Sequence, residues 1–261
     1  MENIYVRSDG RKFNDMRPIT FERGYTCYAE GSVLACFGQT KVICTASVEE
    51  KIPSFLKGSG QGWITAEYAM LPRATAERTT RSTTKGTING RSQEIQRLIG
   101  RSLRAAVDLS LLGERTIWLD CDVIQADGGT RTAAISGAFI ALFDALRYLR
   151  ENKKINTLPL KSFIGAVSVG KIQNGLCLDL CYEEDSRAEV DCNVVMNGNK
   201  ELIEIQGTGE QGIFARDELN AMLDLAEEGL QSIMQHQVAV LDITEEERQA
   251  CVGEICSFCQ Q

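Results

Sequence analysis

Five consecutive residues, Asp127-Gly128-Gly129-Thr130-Arg131, carry the strongest local indication of chemistry in the chain. The glycines let the backbone turn tightly and approach a ligand closely. Thr130 offers a hydroxyl and a main-chain N–H where an apolar helix begins, a position that favours anions, and Arg131 adds a planar guanidinium that suits two phosphate oxygens. An ordinary helix cap is the alternative. No Gly-Lys-Ser/Thr follows, so the segment indicates an anion site other than a P-loop.

An acidic run from Glu183 to Asp191 joins two predicted strands. We expect Asp185 at the turn and Asp191 on the returning strand. Paired carboxylates at such a place can hold Mg²⁺, or one of them can act as a general acid, although a merely solvated acidic hairpin is the alternative. His236 is the single histidine and lies late in a predicted helix. Histidine-based nucleophilic catalysis and histidine metal sites are therefore poor candidates.

Positive charge is concentrated in one segment of an otherwise acidic chain. The net charge is −8, yet residues 73–104 carry +6 and the rest carries −14. Such asymmetry directs a polyanion to one surface, with a solvated basic face as the alternative. The basic residues of this segment are Arg73, Arg78, Arg81, Lys85, Arg91, Arg97, Arg101 and Arg104.

Periodic apolar patterns predict the elements that must position these groups. Helical periodicity covers residues 92–112, 132–150 and 216–237. In the first helix, Arg97, Arg101 and Arg104 share a face away from the apolar stripe, and Arg91 stands near its start. If this helix packs near Gly129, Arg91 and Arg131 can clamp one phosphate from two sides. Residues 72–90 read as a mobile loop, and strands are predicted at residues 32–37, 40–47, 116–124, 163–171, 176–181, 189–196 and 202–206.

Composition limits the class of protein. Of 261 residues, 43% are hydrophobic and 25% charged, which is typical of a globular protein with a substantial core. The longest apolar stretches fall far short of the roughly 20 residues that span a bilayer, so no membrane partner is expected. The N-terminus has no apolar signal-peptide core. We therefore expect a cytoplasmic protein whose ten cysteines are reduced thiols.

Several blocks, taken in order, resemble the bacterial ribonuclease PH family from residue 7 to about residue 240. The most specific are LDCDVIQADGGTRT, residues 119–132, and Glu184-Asp185-Ser186; the others are residues 7–11, 29–34, 60–68 and 94–101. The resemblance implies an α+β protein of α/β-type units with a ribosomal protein S5 domain 2-like fold. Two β/α halves, residues 1–151 and 152–245, form one compact domain, and a tail covers residues 246–261.

The resemblance also assigns roles to residues. The phosphate-binding positions of the family match Arg91, Gly129, Thr130 and Arg131. The acids that match Asp185 and Asp191 serve metal binding, with Mg²⁺ or alternatively Mn²⁺, and protonation of the leaving group; which acid does which stays open. The arginines that match Arg73, Arg78 and Arg81 line the path of the RNA.

The implied activity is phosphate-dependent 3′-to-5′ exoribonuclease activity, a reversible nucleotidyl transfer that releases nucleoside 5′-diphosphates. Inorganic phosphate is the co-substrate. The implied substrates are the 3′ trailer of precursor tRNA and other RNA 3′ ends, including those of ribosomal RNA, and no DNA. The family assembles as a homo-hexamer, a trimer of dimers, which would gather the basic segments around a channel.

Two other functions compete with this interpretation. A ring subunit that binds RNA without catalysis is one, although Arg131, Asp185 and Asp191 are all present. A dinucleotide-dependent oxidoreductase is the other, because residues 207–212 match G-x-G-x-x-G. Glu210 would place negative charge inside such a loop.

In the tail, three thiols have a C-x4-C-x2-C spacing, which is a weak indication of a metal site. A packing or unstructured tail is the alternative. The thiols are Cys251, Cys256 and Cys259.

Overall fold

A mixed five-stranded sheet forms from the first part of the chain. The computed structural model describes residues 6–81, 89–173 and 175–250, so Lys85 and the cysteines 251, 256 and 259 lie outside the described residues. The sheet order is β1-β2-β3-β5-β4, antiparallel except for the parallel pair β4 and β5. Its strands are β1 (Ile19–Arg23), β2 (Gly31–Phe37), β3 (Thr40–Glu49), β4 (Trp63–Met70) and β5 (Thr116–Gln125).

An antiparallel four-stranded sheet follows, in the order β7-β6-β8-β9. Central strand β6 is buried along nearly its whole length, whereas edge strand β9 is half-exposed to exposed. These strands are β6 (Ile164–Ile172), β7 (Gly175–Leu178), β8 (Val190–Asn197) and β9 (Leu202–Gly209).

Helix α3 is the centre of the core, because it packs against strands of both sheets. It is the one helix of the described residues that is long and apolar enough to cross a membrane, but 83% of its most apolar window is buried inside the protein. Close packing needs a glycine on β2: a Cβ at Gly31 would lie 1.9 Å from the carbonyl oxygen of Ala141. The helices are α1 (Gly90–Ala106), α2 (Leu109–Leu112), α3 (Thr130–Glu151), α4 (Tyr182–Asp185), α5 (Arg216–Leu241) and α6 (Glu245–Ala250).

The structure corrects the predicted elements at several places. The helix predicted over residues 92–112 ends at Ala106, because Val107 leaves the helix and forms a β-bridge with Leu160. Strands β1 and β4 were missed. The strand predicted at residues 176–181 stops at Leu178, and a short helix carries Asp185 in place of the expected hairpin turn. The boundary predicted after residue 151 coincides with the end of α3, and the division into two halves stays a prediction.

Candidate active site

The loop before α3 adopts a conformation that glycine favours at two consecutive positions. Gly128 has a φ of +72° and Gly129 a φ of +61°. A Cβ at Gly128 would lie 2.4 Å from the carbonyl oxygen of Leu180, so this loop packs directly on the segment that precedes α4. No side chain of the described residues caps the start of α3. Its first N–H groups, which have no partner within the helix, remain available to an anion.

Two arginines from different helices line the same cavity. Arg91 follows the N-cap of α1, where the Asn89 side chain accepts the Arg91 N–H at 3.1 Å, and Arg131 is the second residue of α3. The cavity measures about 360 Å³, and the residues predicted to bind phosphate or to supply acid all line it: Arg91, Gly129, Thr130, Arg131, Asp185 and Asp191. Arg131 is held in place by Gln206, whose Oε1 accepts from its Nη1 at 3.0 Å. The geometry therefore permits a clamp on one anion.

The two carboxylates in this cavity are harder to ionise than ordinary aspartates. Burial raises the pKa of Asp185, against the attraction of Arg91 and Arg131. Burial, and then the charge of Asp185, raise the pKa of Asp191 to about 6. Asn193 donates to Oδ2 of Asp191 at 3.1 Å, while Oδ1 is buried and has no hydrogen-bond partner in the described part of the chain. An acid poised near neutral pH beside an anion site is typical of proton-transfer catalysis.

A buried arginine joins the glycine loop, residues 127–129, to helix α4, which carries Asp185. The Arg17 side chain binds both oxygens of Asp179, from Nε at 2.9 Å and from Nη2 at 2.7 Å, and its Nη1 donates to the carbonyl of Asp127. Oδ1 of Asp127 in turn accepts the N–H of Tyr182, the first residue of α4, at 3.2 Å. The glycine loop and α4 are therefore held as one unit.

A second buried arginine fixes α4 from the N-terminal segment. Arg7 donates from Nε to Oε1 of Glu184 at 2.7 Å and from Nη2 to Oε2 at 2.8 Å, with both side chains inaccessible to solvent. Glu184 also accepts the N–H of Cys181 at 3.0 Å, which caps the helix. This pair explains why a four-residue helix forms here, because so short a helix is unstable in isolation.

Comparison with known proteins agrees with this geometry. Family models described as the 3′ exoribonuclease family, domain 1 and domain 2, match residues 15–147 and 162–229. The chain belongs to the 3′ exoribonuclease family. It is 59% identical over 236 residues to ribonuclease PH of Moorella thermoacetica, covering 90% of this chain and 94% of that protein. It is 57% identical over 237 residues to ribonuclease PH of Bacillus subtilis, covering 90% and 97%.

Two solved structures share its fold. Rrp46 of rice superposes with a TM-score of 0.73 at 19% identity, covering 90% of this chain and all of that one. A chain of the Archaeoglobus fulgidus exosome with RNA bound to the active site has a TM-score of 0.74 at 22% identity, covering 88% and 92%. The predicted fold class and family are confirmed, and with the family the predicted activity: a phosphorolytic 3′-to-5′ exoribonuclease with phosphate as co-substrate.

The arginines predicted to line the RNA path of this exoribonuclease lie outside the cavity. Arg73, Arg78 and Arg81 are exposed on the segment that follows β4. Arg81 is close enough to Asp122 on β5 to lower the pKa of that carboxyl, which burial raises. Their role in RNA binding stays a prediction.

Sequence reasoning missed polar groups that surround the predicted ones. Asn193 follows Asp191 by two residues on β8, so the alternation of the strand was a signal that could have found it. Tyr68 on β4 contacts Thr130 through its hydroxyl at 2.8 Å, and no local pattern announces this contact. The G-x-G-x-x-G match ends β9 instead of opening a helix, since α5 begins only at Arg216. This placement and the family assignment together exclude the oxidoreductase alternative.

Proposed function

We propose that the chain trims the 3′ trailer of precursor tRNA, and other RNA 3′ ends including those of ribosomal RNA, with this cavity as the site of phosphorolysis. One observation carries the proposal: two arginines from separate helices, a glycine loop at a helix N-terminus and two carboxylates of raised pKa line a single cavity of about 360 Å³. The reaction runs in reverse as nucleotide addition, since one phosphate linkage replaces another.

Inorganic phosphate is held by cations and main-chain donors. Arg91 and Arg131 grip its oxygens, and the N–H groups of Gly129 and Thr130 at the start of α3 complete the cradle. Phosphate is largely ionised near neutral pH, so the attacking oxygen needs no histidine base. The bound phosphate attacks the last phosphodiester in line, and the arginines stabilise the negative charge on the transferred group.

The departing 3′-oxygen needs a proton or a compensating charge. Asp185 and Asp191 both line the cavity, and the pKa of Asp191, raised to about 6, leaves part of this acid protonated near neutral pH. Either carboxyl can deliver the proton. General acid catalysis by such a group typically accelerates a reaction on the order of 10²–10⁴-fold.

The same carboxylates suit a hard divalent cation. Oδ1 of Asp191 is buried without a hydrogen-bond partner among the described residues, so this oxygen is available to coordinate a cation. Among the described residues, no three acidic, histidine or cysteine side chains are arranged to hold a metal ion together. Mg²⁺, however, commonly binds through one or two carboxylates, water and substrate phosphates. Asp185 and Asp191 would hold Mg²⁺, or Mn²⁺ in its place. When bound, the ion supplies positive charge to the phosphate oxygens.

Single-stranded RNA reaches the cavity along the exposed segment after β4. Arg73, Arg78 and Arg81 contact its backbone phosphates, which gives affinity without sequence preference. We propose a homo-hexamer, a trimer of dimers, in the cytoplasm. Six copies of the basic segment around one channel would attract RNA although each chain has a net charge of −8.

A tRNA with a 3′-labelled trailer tests the proposal. The protein is incubated with Mg²⁺, with and without inorganic phosphate, and the released nucleotides are separated. Nucleoside diphosphates released only with phosphate are expected. Arg131→Ala should abolish this release while RNA binding persists. Arg150 lies at the opposite end of the same helix and pairs with exposed Glu246, so Arg150→Ala should leave the release of nucleoside diphosphates intact. Monophosphates without phosphate would mean hydrolysis, and wild-type rates in Arg131→Ala would remove the clamp.

A further inference from the structure

A tyrosine that does not line the cavity contacts one of the residues that do. Tyr68 lies on β4 with 4% of its surface exposed, and its hydroxyl is 2.8 Å from Oγ1 of Thr130. The guanidinium groups of Arg91 and Arg131 both act on the phenol and lower its pKa. Burial outweighs them and raises that pKa above its usual value of 10.0, so the phenol keeps its proton at neutral pH.

The two hydroxyls share one hydrogen bond, and its direction follows from the second proton. A tyrosine hydroxyl has one proton to donate, and a threonine hydroxyl has one proton and two acceptor sites. In the described part of the chain, Thr130 is the sole hydrogen-bond partner of the Tyr68 hydroxyl. If Thr130 donated to Tyr68, the buried phenol proton would lack an acceptor, which is costly. Tyr68 therefore donates to Thr130, and the Thr130 proton is free for another partner.

We infer that Tyr68 is a positioning residue for inorganic phosphate: by donating to Oγ1 of Thr130, it directs the Thr130 hydroxyl proton into the cavity, where a phosphate oxygen accepts it. The inference rests on the proposed function, since it requires phosphate to bind at Thr130. Tyr68 itself need not touch the phosphate. The series of hydrogen bonds from the phenol to the threonine hydroxyl to the anion gives each of the three groups a hydrogen-bond partner, and each bond polarises the next.

The substitution Tyr68→Phe keeps the ring and removes only the hydroxyl. The Thr130 proton then loses its fixed direction, and we expect the KM for phosphate to rise about 3- to 10-fold, the effect of one ordinary hydrogen bond. The kcat at saturating phosphate and the KM for RNA should stay within about twofold, because the arginines and carboxylates are untouched. Tyr148→Phe, a half-exposed tyrosine on α3 outside this cavity, is the matched control and should change neither constant.

A double-mutant cycle separates positioning from a structural role. The KM for phosphate is measured for wild type, Tyr68→Phe, Thr130→Val and the double variant, with Thr130→Ser as the background that retains a hydroxyl. If Tyr68 acts through the Thr130 hydroxyl, Tyr68→Phe should have no further effect in the valine background and its full effect in the serine background. The rise in melting temperature with added phosphate, followed for every variant, reports the same affinities without turnover.

Two outcomes overturn the inference. An unchanged KM and phosphate-induced shift in Tyr68→Phe would show that the phenol does not matter. Equal losses in the threonine and valine backgrounds would show that Tyr68 acts independently of Thr130. Failure of the proposed function looks different, because wild type would then release no nucleoside diphosphate and would gain no stability from phosphate.

Discussion

Replacing Asp191 by asparagine should stabilise the protein while slowing catalysis. Burial and the neighbouring Asp185 raise the pKa of Asp191 from its ordinary 3.8 to about 6 in the folded protein. Between these two pH values the folded state holds a proton that the unfolded state has already lost. The stability of the wild type therefore falls as the pH rises from about 4 to about 6, after which the loss is complete.

The magnitude follows from the size of the pKa shift. A shift of about two pKa units corresponds to about 3 kcal/mol, since each unit contributes about 1.4 kcal/mol. At pH 5 only about half of this penalty is present. Asp191→Asn removes the charge but keeps an oxygen that can accept the hydrogen bond which Asn193 now donates at 3.1 Å. The variant should be more stable than the wild type by about 1.5 kcal/mol at pH 5 and by about 3 kcal/mol at pH 7.5.

Urea unfolding at both pH values, without added divalent cation, measures this difference. Tryptophan fluorescence follows the transition. Asp224→Asn, on the exposed face of α5, removes the same charge outside the cavity and should show no such pH-dependent gain. Addition of Mg²⁺ should stabilise the wild type more than Asp191→Asn, because the variant has lost one of the two proposed ligands. A variant that is no more stable than the wild type, or a difference independent of pH, would refute the reasoning.

Two further predictions concern the RNA path and the glycine loop. Arg78→Ala combined with Arg81→Ala should weaken RNA binding and reduce the slope of log affinity against log salt by about 1.4, the value for two lost phosphate contacts on a single strand. Titrations at several salt concentrations measure this slope. An unchanged slope would exclude both arginines from the RNA path. Gly128→Ala forces an alanine to a φ of +72° and its Cβ to 2.4 Å from a carbonyl oxygen. It should lower the free energy of unfolding by about 1–3 kcal/mol and raise the KM for phosphate, and normal values of both would contradict the tight loop.

The sequence predicts the elements whose stability is local and misses those that depend on distant partners. Strand β3 alternates buried and half-exposed residues, and its pattern could be recognised without neighbours. Strand β4 mixes large residues with two alanines, a threonine and a glutamate, and it becomes a strand through pairing with β5, about 50 residues away. Helix α1 was extended past Ala106 because Val107 continues the apolar periodicity, while the bridge of Val107 to Leu160 cannot be read locally.

The composition of the site was predictable, but its environment was not. The motif around Gly129 and Arg131, together with the family resemblance, located every residue of the proposed phosphate cradle. The raised pKa of Asp191 and the contact between Tyr68 and Thr130 arise only when β4, α3 and β8 are brought together. A one-dimensional pattern carries no information on burial by remote elements, which is the main cause of the raised pKa.

The buried pair of Arg7 and Glu184 sets a time at which the chain can become active during its synthesis. The two residues are 177 positions apart, and translation at about 5–20 residues per second separates their emergence by about 10–35 s. Late in that interval the nascent chain already contains residues 127–131 and Arg73, Arg78 and Arg81, but α4 and Asp185 have not been made. A nascent chain that ends before Asp185 therefore lacks part of the proposed site for trimming RNA. Nuclease activity begins only when more than two thirds of the chain exists.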